Sequence, residues 1–249
     1  MKISIITVCF NSERTINETI KSVLNQTYDN IEYIIVDGGS KDKTLEIIKE
    51  NEDKFNGKLI WKSEKDKGLY DAMNKGIKMS TGDVIGFINS DDLFCDNEAL
   101  EKIMDIFNQN KKLDSVYADL YYVDQKNTDK IIRKWVTGKQ KKFKFGWHPG
   151  HPTLYLKKEV YNKFGLFNIE YRLAADFEIM LRFLERFKIT THYLQEYLVK
   201  MRIGGETNKS IKNMIKQNIE CIKAFSENEI KVNILLYPFY RLLPKIKQY

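Results

Sequence analysis

Apolar and polar positions alternate between two periods along the first half of the chain. Residues 2–9 form an apolar, β-branched run that reads as a buried strand. Over residues 12–25 the apolar positions Ile16, Ile20, Val23 and Leu24 fall at helical spacing. The alternation then repeats: a strand over 31–36 ending at Asp37-Gly38-Gly39-Ser40, a helix over 44–55, a short strand over 59–62 and a helix over 70–79. A strand over 83–88 and a helix over 99–107 complete it. Repeated strand–helix units of this length predict an α/β fold, with a mostly parallel central sheet and helices on both faces.

After about residue 113 the pattern loosens. Residues 115–123 and 131–136 read as strands of a small antiparallel extension, followed by a glycine- and aromatic-rich loop over 143–152. A strand over 153–156, a helix from Glu159 and a helix over 177–187 come next. From Lys209 the chain is helical again, with Pro238 and Pro244 interrupting its last part. This divides the chain into a domain over 1–207, itself in halves 1–112 and 113–207, and a helical tail over 208–249.

Composition narrows the class. With 249 residues, 43% hydrophobic and 30% charged, the chain can bury a full core as a soluble globular protein. No apolar stretch approaches the roughly 18 residues of a membrane span, and Met1-Lys2 leads straight into a strand with no signal pattern. Cys9, Cys95 and Cys221 are too few and too scattered for a disulfide framework or a zinc site. A cytoplasmic setting is the simplest expectation. The net charge of +7 favours anionic partners. Its lysines are dispersed rather than set in an arginine and aromatic stripe, so nucleic acid is not expected. Nucleotide phosphates, an anionic membrane surface or a lysine-rich composition without functional meaning each account for it.

In open α/β sheets, ligands bind beyond the carboxyl ends of the strands, and polar clusters fall at those ends here. The first strand gives Thr7 and Phe10-Asn11-Ser12-Glu13, and the second gives Asp37. The third gives Glu64, Asp66, Lys67 and Gly68, and the fourth gives Asn89-Ser90-Asp91-Asp92. The chain has no G-x-x-x-x-G-K-[ST] loop, no G-x-G-x-x-G after the first strand and no glycine-rich arginine loop. A diphosphate bound here therefore depends on a divalent ion for neutralisation. Adjacent carboxylates at a sheet edge suit Mg2+ or Mn2+. A helix N-cap at Asp92 or Asp96 is the simpler explanation of the same residues.

Several segments together carry a resemblance. Ile5-Ile6-Thr7-Val8-Cys9-Phe10-Asn11, the run from Ser22 to Tyr28, the run from Glu32 to Thr44 and the run from Asp66 to Gly76 resemble family 2 glycosyltransferases. Within that family the bacterial polysaccharide branch, including colanic-acid-type enzymes, is the most similar, and coverage runs from residue 3 to about 205. The resemblance implies a GT-A fold and inverting transfer from a nucleotide-activated sugar. The donor is a UDP- or dTDP-sugar and the acceptor a glycan, on a lipid carrier of a surface polysaccharide. Residues 1–112 become the nucleotide-binding half and 113–207 the acceptor-side half.

The resemblance assigns residues as well. Thr7, Asn11 and Glu13 line the base and ribose pocket, Asp37 accepts from a uracil or thymine ring N–H, and Lys67 sits near the base or diphosphate. Asn89, Ser90 and Asp91 meet the nucleotide. Asp91 is the main ligand of Mn2+ or Mg2+, supported by Asp92, with Asn89 standing where many relatives carry an aspartate. Asp176 is the catalytic base, and an N-cap for the following helix is its plain alternative. His151, His148 and Asp119 are candidates for the donor sugar or acceptor; a solvent-facing strand position is the other reading of Asp119. Met201 to Thr207 resembles a flap over the diphosphate or an ordinary turn. The tail over 230–249 mixes apolar residues with lysines, which suits docking at the inner face of the plasma membrane, packing on the domain or a homodimer contact. A non-catalytic nucleotide-sugar-binding scaffold on the same fold is the rival function, supported by Asn89.

Overall fold

The computed structural model describes residues 1–204 and 210–246. The first half runs β1 (Ile3–Cys9), α1 (Ile16–Leu24), β2 (Ile31–Asp37), α2 (Thr44–Glu52), β3 (Leu59–Ser63), α3 (Leu69–Met79) and β4 (Val84–Phe87). Then follow β5 (Leu93–Phe94), α4 (Ala99–Gln109), β6 (Ser115–Val123), β7 (Ile131–Trp135), β8 (Tyr155–Lys157) and α5 (Lys158–Phe164). The last part comprises α6 (Ala175–Leu181), which continues into a π-helical turn at Arg182–Arg186, then β9 (Thr191–Arg202), α7 (Ile211–Glu227) and α8 (Tyr237–Ile246).

The strands join in one sheet in the order β3-β2-β1-β4-β8-β6-β9-β5, with β7 pairing β6. β1, β2, β3 and β4 pair in parallel, β8 runs antiparallel between β4 and β6, and β9 runs parallel to β6. The carboxyl ends of β1, β2, β4, β6 and β9 therefore share one edge. The expected antiparallel extension is not a separate piece: β6 lies inside the main sheet, and the antiparallel partners are the short β5, β7 and β8. A twelve-residue strand, β9, lies where the hydrophobic pattern gave none.

Alternating strand residues feed two cores. Ile6, Val8, Ile34, Val36, Ile85 and Phe87 face α3, α5, α6 and α7, whereas Ile3, Ile5, Tyr33 and Ile35 face α1, α2 and α4. A Cβ on Gly86 would come within 2.3 Å of the Tyr155 ring, so glycine in β4 lets that ring lie against the strand. The tail joins the first core: Cys221, Ala224, Phe225 and Tyr237 are buried in it. Pro238 sits in the first turn of α8, next to Tyr237, whose N–H bonds Asn233 O at 2.9 Å, and α8 runs on through Pro244 to Ile246. Among the described residues, no helix is long and apolar enough to cross a membrane.

A buried carboxylate locks the opposite edge. Glu32 accepts from Lys2 Nζ at 2.8 Å, Thr81 Oγ1 at 2.7 Å and Gly82 N at 3.1 Å, and from Ser4 Oγ. Burial alone would raise its pKa, but the bonds from Lys2, Ser4 and Thr81 outweigh it and hold the value at about 2. A depressed carboxylate pKa gives stability that is present above the unfolded value near 4.5 and is lost as pH falls toward 2. We expect Glu32→Gln to lower stability at neutral pH by on the order of 2–3 kcal/mol. It should also flatten the acid-unfolding profile across that window, as chemical denaturation at stepped pH would show.

Candidate active site

The loops that follow β1 and β2 are stitched together. Asn11 adopts a left-handed backbone at φ 51°, which an asparagine tolerates better than most residues. Its N–H donates to Ser40 Oγ at 2.7 Å and its Oδ1 accepts from Lys41 N at 2.9 Å. Glu13 accepts from Lys43 N at 3.0 Å, and Asp42 takes Glu13 N at 3.1 Å and Thr44 N at 3.0 Å. Asn11 and Glu13 are exposed at this edge. The third loop comes close too: a Cβ on Gly38 would lie 2.7 Å from Asp66 Oδ2. Lys67 is exposed at the start of α3, with its backbone N–H on Asp71 at 3.0 Å.

Two of the expected nucleotide residues have no exposed surface. Thr7 does not line a pocket. It is fully buried, donating to Ile88 O at 2.9 Å and accepting from Tyr33 at 2.9 Å. The reason is register: two more residues of β1 separate Thr7 from the strand end, where Cys9 pairs with Asp37. Asp37 does reach the edge, but without exposed surface. Its Oδ2 takes Gly39 N and Ser40 N at 3.0 Å and Ser63 Oγ at 2.6 Å, and its Oδ1 takes Ser40 Oγ. In this structure Asp37 shapes the loop on which Asn11 rests.

The quartet Asn89–Asp92 is the crossing from β4, in the middle of the sheet, to β5, beyond β9. Ser90 Oγ meets Ser12 Oγ at 2.9 Å, tying the crossing to the β1 loop. Asn89 Nδ2 donates to Asp92 Oδ2 at 2.7 Å, and Thr19 Oγ1 donates to Asp92 O at 2.8 Å. Asp92 is 1% exposed and its Oδ1 is buried without a hydrogen-bond partner. Burial raises the pKa of Asp91, and burial with the neighbouring Asp91 charge raises that of Asp92 well above the usual carboxylate range. Arg202, at the end of β9, opposes this. Its guanidinium donates to the Asp91 carbonyl, to Gln125 O at 3.1 Å and to Glu18.

An orphaned carboxylate oxygen beside a second, half-buried carboxylate fits a hard divalent cation. Among the described residues, no group of three or more His, Cys, Asp or Glu side chains gathers to hold a metal unaided. Asp91 and Asp92 would therefore supply protein oxygens while a bound phosphate group completes the shell.

Asp176 lies half-buried in the first turn of α6, where its Oδ1 accepts from Tyr70 at 3.2 Å. Tyr70 opens α3 just after Asp66-Lys67-Gly68, so the third loop and the acidic helix meet through this bond. Burial pushes the Tyr70 phenol well above its ordinary pKa, so it remains a donor. The backbone before Asp176 is fixed from the tail: Glu220 on α7 accepts from Arg172 N at 3.1 Å, Leu173 N at 2.8 Å and Ala174 N at 3.0 Å. Charge-assisted bonds of this kind contribute about 1.5–3 kcal/mol. We expect Glu220→Ala to lower kcat while leaving donor affinity unchanged, because it frees the turn that aims Asp176. Equal losses in both parameters, measured by steady-state kinetics and donor titration, would mark a merely structural role.

His151 is half-buried between Phe87, at 5.1 Å, and Phe167, at 5.6 Å; its pKa is lowered by burial and raised less by Asp176. It adjoins the Asp176 cluster as a neutral ring. His148 packs edge-on against Trp135 and Phe177 and bonds Pro149 O at 2.9 Å. Asp119 is not solvent-facing. It is 3% exposed and accepts from Thr137 N at 2.7 Å and from Tyr193 at 2.9 Å. Of the flap, Gly205, Glu206 and Thr207 lie outside the described residues. Tyr70 and Glu220 are residues sequence reasoning gave no role, and Arg202 it placed only in the segment from Met201 to Thr207. Tyr70 had a signal in its place two residues beyond Gly68.

With this geometry in view, comparisons with known proteins give consistent answers. The chain matches the family described as "Glycosyl transferase family 2" over residues 4–167. It is 26% identical over 206 residues to a PGL/p-HBAD biosynthesis glycosyltransferase of Mycobacterium tuberculosis, covering 82% of this chain and 78% of that one. An uncharacterized glycosyltransferase of Haemophilus influenzae is 42% identical over 108 residues, 43% of each chain. Among solved structures, S. aureus TarS 1–349 in complex with UDP-GlcNAc superposes with a TM-score of 0.67 at 18% identity, over 97% of this chain and 70% of that one. In the longer TarS chain the match spans 43% of its length. The mannosyltransferase PcManGT from Pyrobaculum calidifontis, in complex with GDP-Man and Mn2+, gives 0.70 at 15% identity, over 98% and 68%. The structural likenesses are ones of fold.

Proposed function

We propose that this chain, which belongs to glycosyl transferase family 2 and has the GT-A fold, is an inverting enzyme rather than a binding scaffold. It moves a sugar from a uridine or thymidine diphosphate to a hydroxyl of a glycan carried on a lipid. The observation that carries this reading is the pairing at one sheet edge of a half-buried and a buried carboxylate, with an unpartnered Asp92 oxygen, and a separate acid, Asp176, at a helix start. The UDP-GlcNAc complex of TarS and the Mn2+ complex of PcManGT support donor and cation of these classes.

The chain's own groups divide the work. The loops joined through Asn11, Glu13 and Ser40 give the nucleoside a rigid floor, while Lys67 and the Asp91 region face the diphosphate. Asp91, backed by Asp92, would hold Mn2+ or Mg2+. Such an ion, when bound, offsets the negative charge that builds on a departing diphosphate. Asp176 takes the proton of the acceptor hydroxyl as that oxygen bonds to the anomeric carbon. The bond from that carbon to the diphosphate breaks with its electron pair, and the configuration inverts. Tyr70 holds the other end of this action by keeping Asp176 oriented. The amide of Asn89 donates to Asp92, which an ionised aspartate could not.

The test is donor hydrolysis without acceptor. Slow release of UDP from a UDP-sugar, dependent on Mn2+ or Mg2+ and absent with chelator, is the expected result. Nucleotide-sugar binding with no release under any acceptor or metal condition would establish the scaffold instead.

A further inference from the structure

Several exposed apolar side chains gather on the last helix and the turn before it. Leu235, Phe239 and Leu242 are 81%, 65% and 49% exposed. Their spacing of four and three puts them on one face of α8 and the turn leading into it. Phe145 extends this face at 51% exposure, with its ring 5.5 Å from that of Tyr240. The stripe is not a loose end. Tyr237 is buried against Phe225 at 5.0 Å, and Arg241 bonds Asn218 at 2.7 Å and Gln217 at 3.1 Å on α7. Those contacts pin the opposite side of α8 to the protein and turn the stripe outward.

Charge identifies what covers it. The three segments that meet here, residues 137–150, 210–219 and 230–246, contain no aspartate or glutamate. They do present Lys141, Lys142, Lys212, Lys216 and Lys231 as exposed residues, and Lys144 half-exposed beside Phe145. Of these, Lys142 has a carboxylate nearby, Glu185 at 3.9 Å. A second copy docked through the same face would set these cations against themselves. Projecting leucine and phenylalanine rimmed by lysines is the pattern of a surface that lies in a lipid interface and attracts anionic headgroups.

We propose that α8 and Phe145 form a docking surface for an anionic phospholipid bilayer, which the chain touches without crossing. The position gives this contact a use, resting on the transferase reading above. Tyr237 packs on Phe177 at 6.3 Å, and Phe177 follows Asp176 in α6. A bilayer seated on α8 presents a lipid-borne hydroxyl on the side of the protein where the base lies.

The experiment is co-sedimentation of the full chain with vesicles of phosphatidylglycerol or of phosphatidylcholine. Each lysine near an anionic surface strengthens binding by roughly fivefold, so the wild type should pellet with the first at least about tenfold better than with the second. L235E/F239E should lose that binding by a similar factor or more, and K141E/K144E should lose the preference for anionic lipid. UDP release and the melting curve should stay as in the wild type for both variants, since none of these side chains is in the core or the active site. A wild type that stays in the supernatant with both vesicles overturns the proposal. So does L235E/F239E pelleting unchanged, or a wild-type dimer in sedimentation velocity that L235E/F239E splits. Vesicle binding without any UDP release would refute the transferase reading and leave the surface standing.

Discussion

Asp176→Asn is expected to abolish sugar transfer while the donor still binds. General-base removal costs about 10^2–10^4 in rate; Tyr70 is held protonated by burial and cannot replace the base, and burial makes His151 a weaker base than a free imidazole. The substitution is nearly isosteric, and the amide oxygen still accepts from Tyr70, so the first turn of α6 keeps its place. The nucleotide loops are untouched, which predicts an unchanged donor titration. Transfer at the wild-type rate would mean that Asp176 only caps its helix.

Asp91→Ala should produce the second large effect, in two parts of opposite sign. With donor and Mn2+ at about a hundred times their dissociation constants, binding should stabilise the wild type by about 2.7 kcal/mol. For a domain of this size that is a rise in Tm of about 5–10 °C. The variant should lose this rise and the metal-dependent UDP release with it. Without ligands the same variant should melt no lower than the wild type, and above it at neutral pH. The folded-state pKa of Asp91 lies above its unfolded value, so its charge opposes folding once the pH exceeds the unfolded value near 3.8. Removing the carboxylate also relieves Asp92, whose pKa it raises. A ligand-induced rise in the variant equal to that of the wild type would exclude Asp91 from the metal.

The parts of this molecule that were legible in the sequence are those whose side chains repeat with a clean period. β1, β2 and β4 are buried on both faces and bounded by polar loops, so their ends, and the acids beyond them, could be located. β9 was not legible for a physical reason. Against β6 its register slips around Asp119, where Tyr193 pairs with Tyr117 but Tyr197 with Asp119 and Val199 with Leu120. The extra residues bulge and break the alternation, leaving Leu198 and Val199 both buried. With β9 went Arg202, whose tie to the Asp91 carbonyl depends on pairing across the sheet.

Thr7 shows the converse error. Its polar character near a strand end suggested a site residue, yet a hydroxyl can be satisfied inside a sheet, and Ile88 and Tyr33 do so. Asp91 and Asp176 could be named because both fall in motifs that resemble those of family 2 glycosyltransferases. Glu220 could not. In the sequence it is one acid in a polar helix, and only folding brings it under Ala174.

That last contact bears on how such enzymes can be recombined. A crossover placed near residue 209, where the sequence suggests a removable tail, would separate Glu220 from the three amides it receives. Chimeras built to borrow another enzyme's carboxyl-terminal helices would fold around their own sheet and yet inherit a misaligned Asp176. Joining partners instead before residue 172, so that α6 and α7 travel together, keeps the acid and its anchor from one parent.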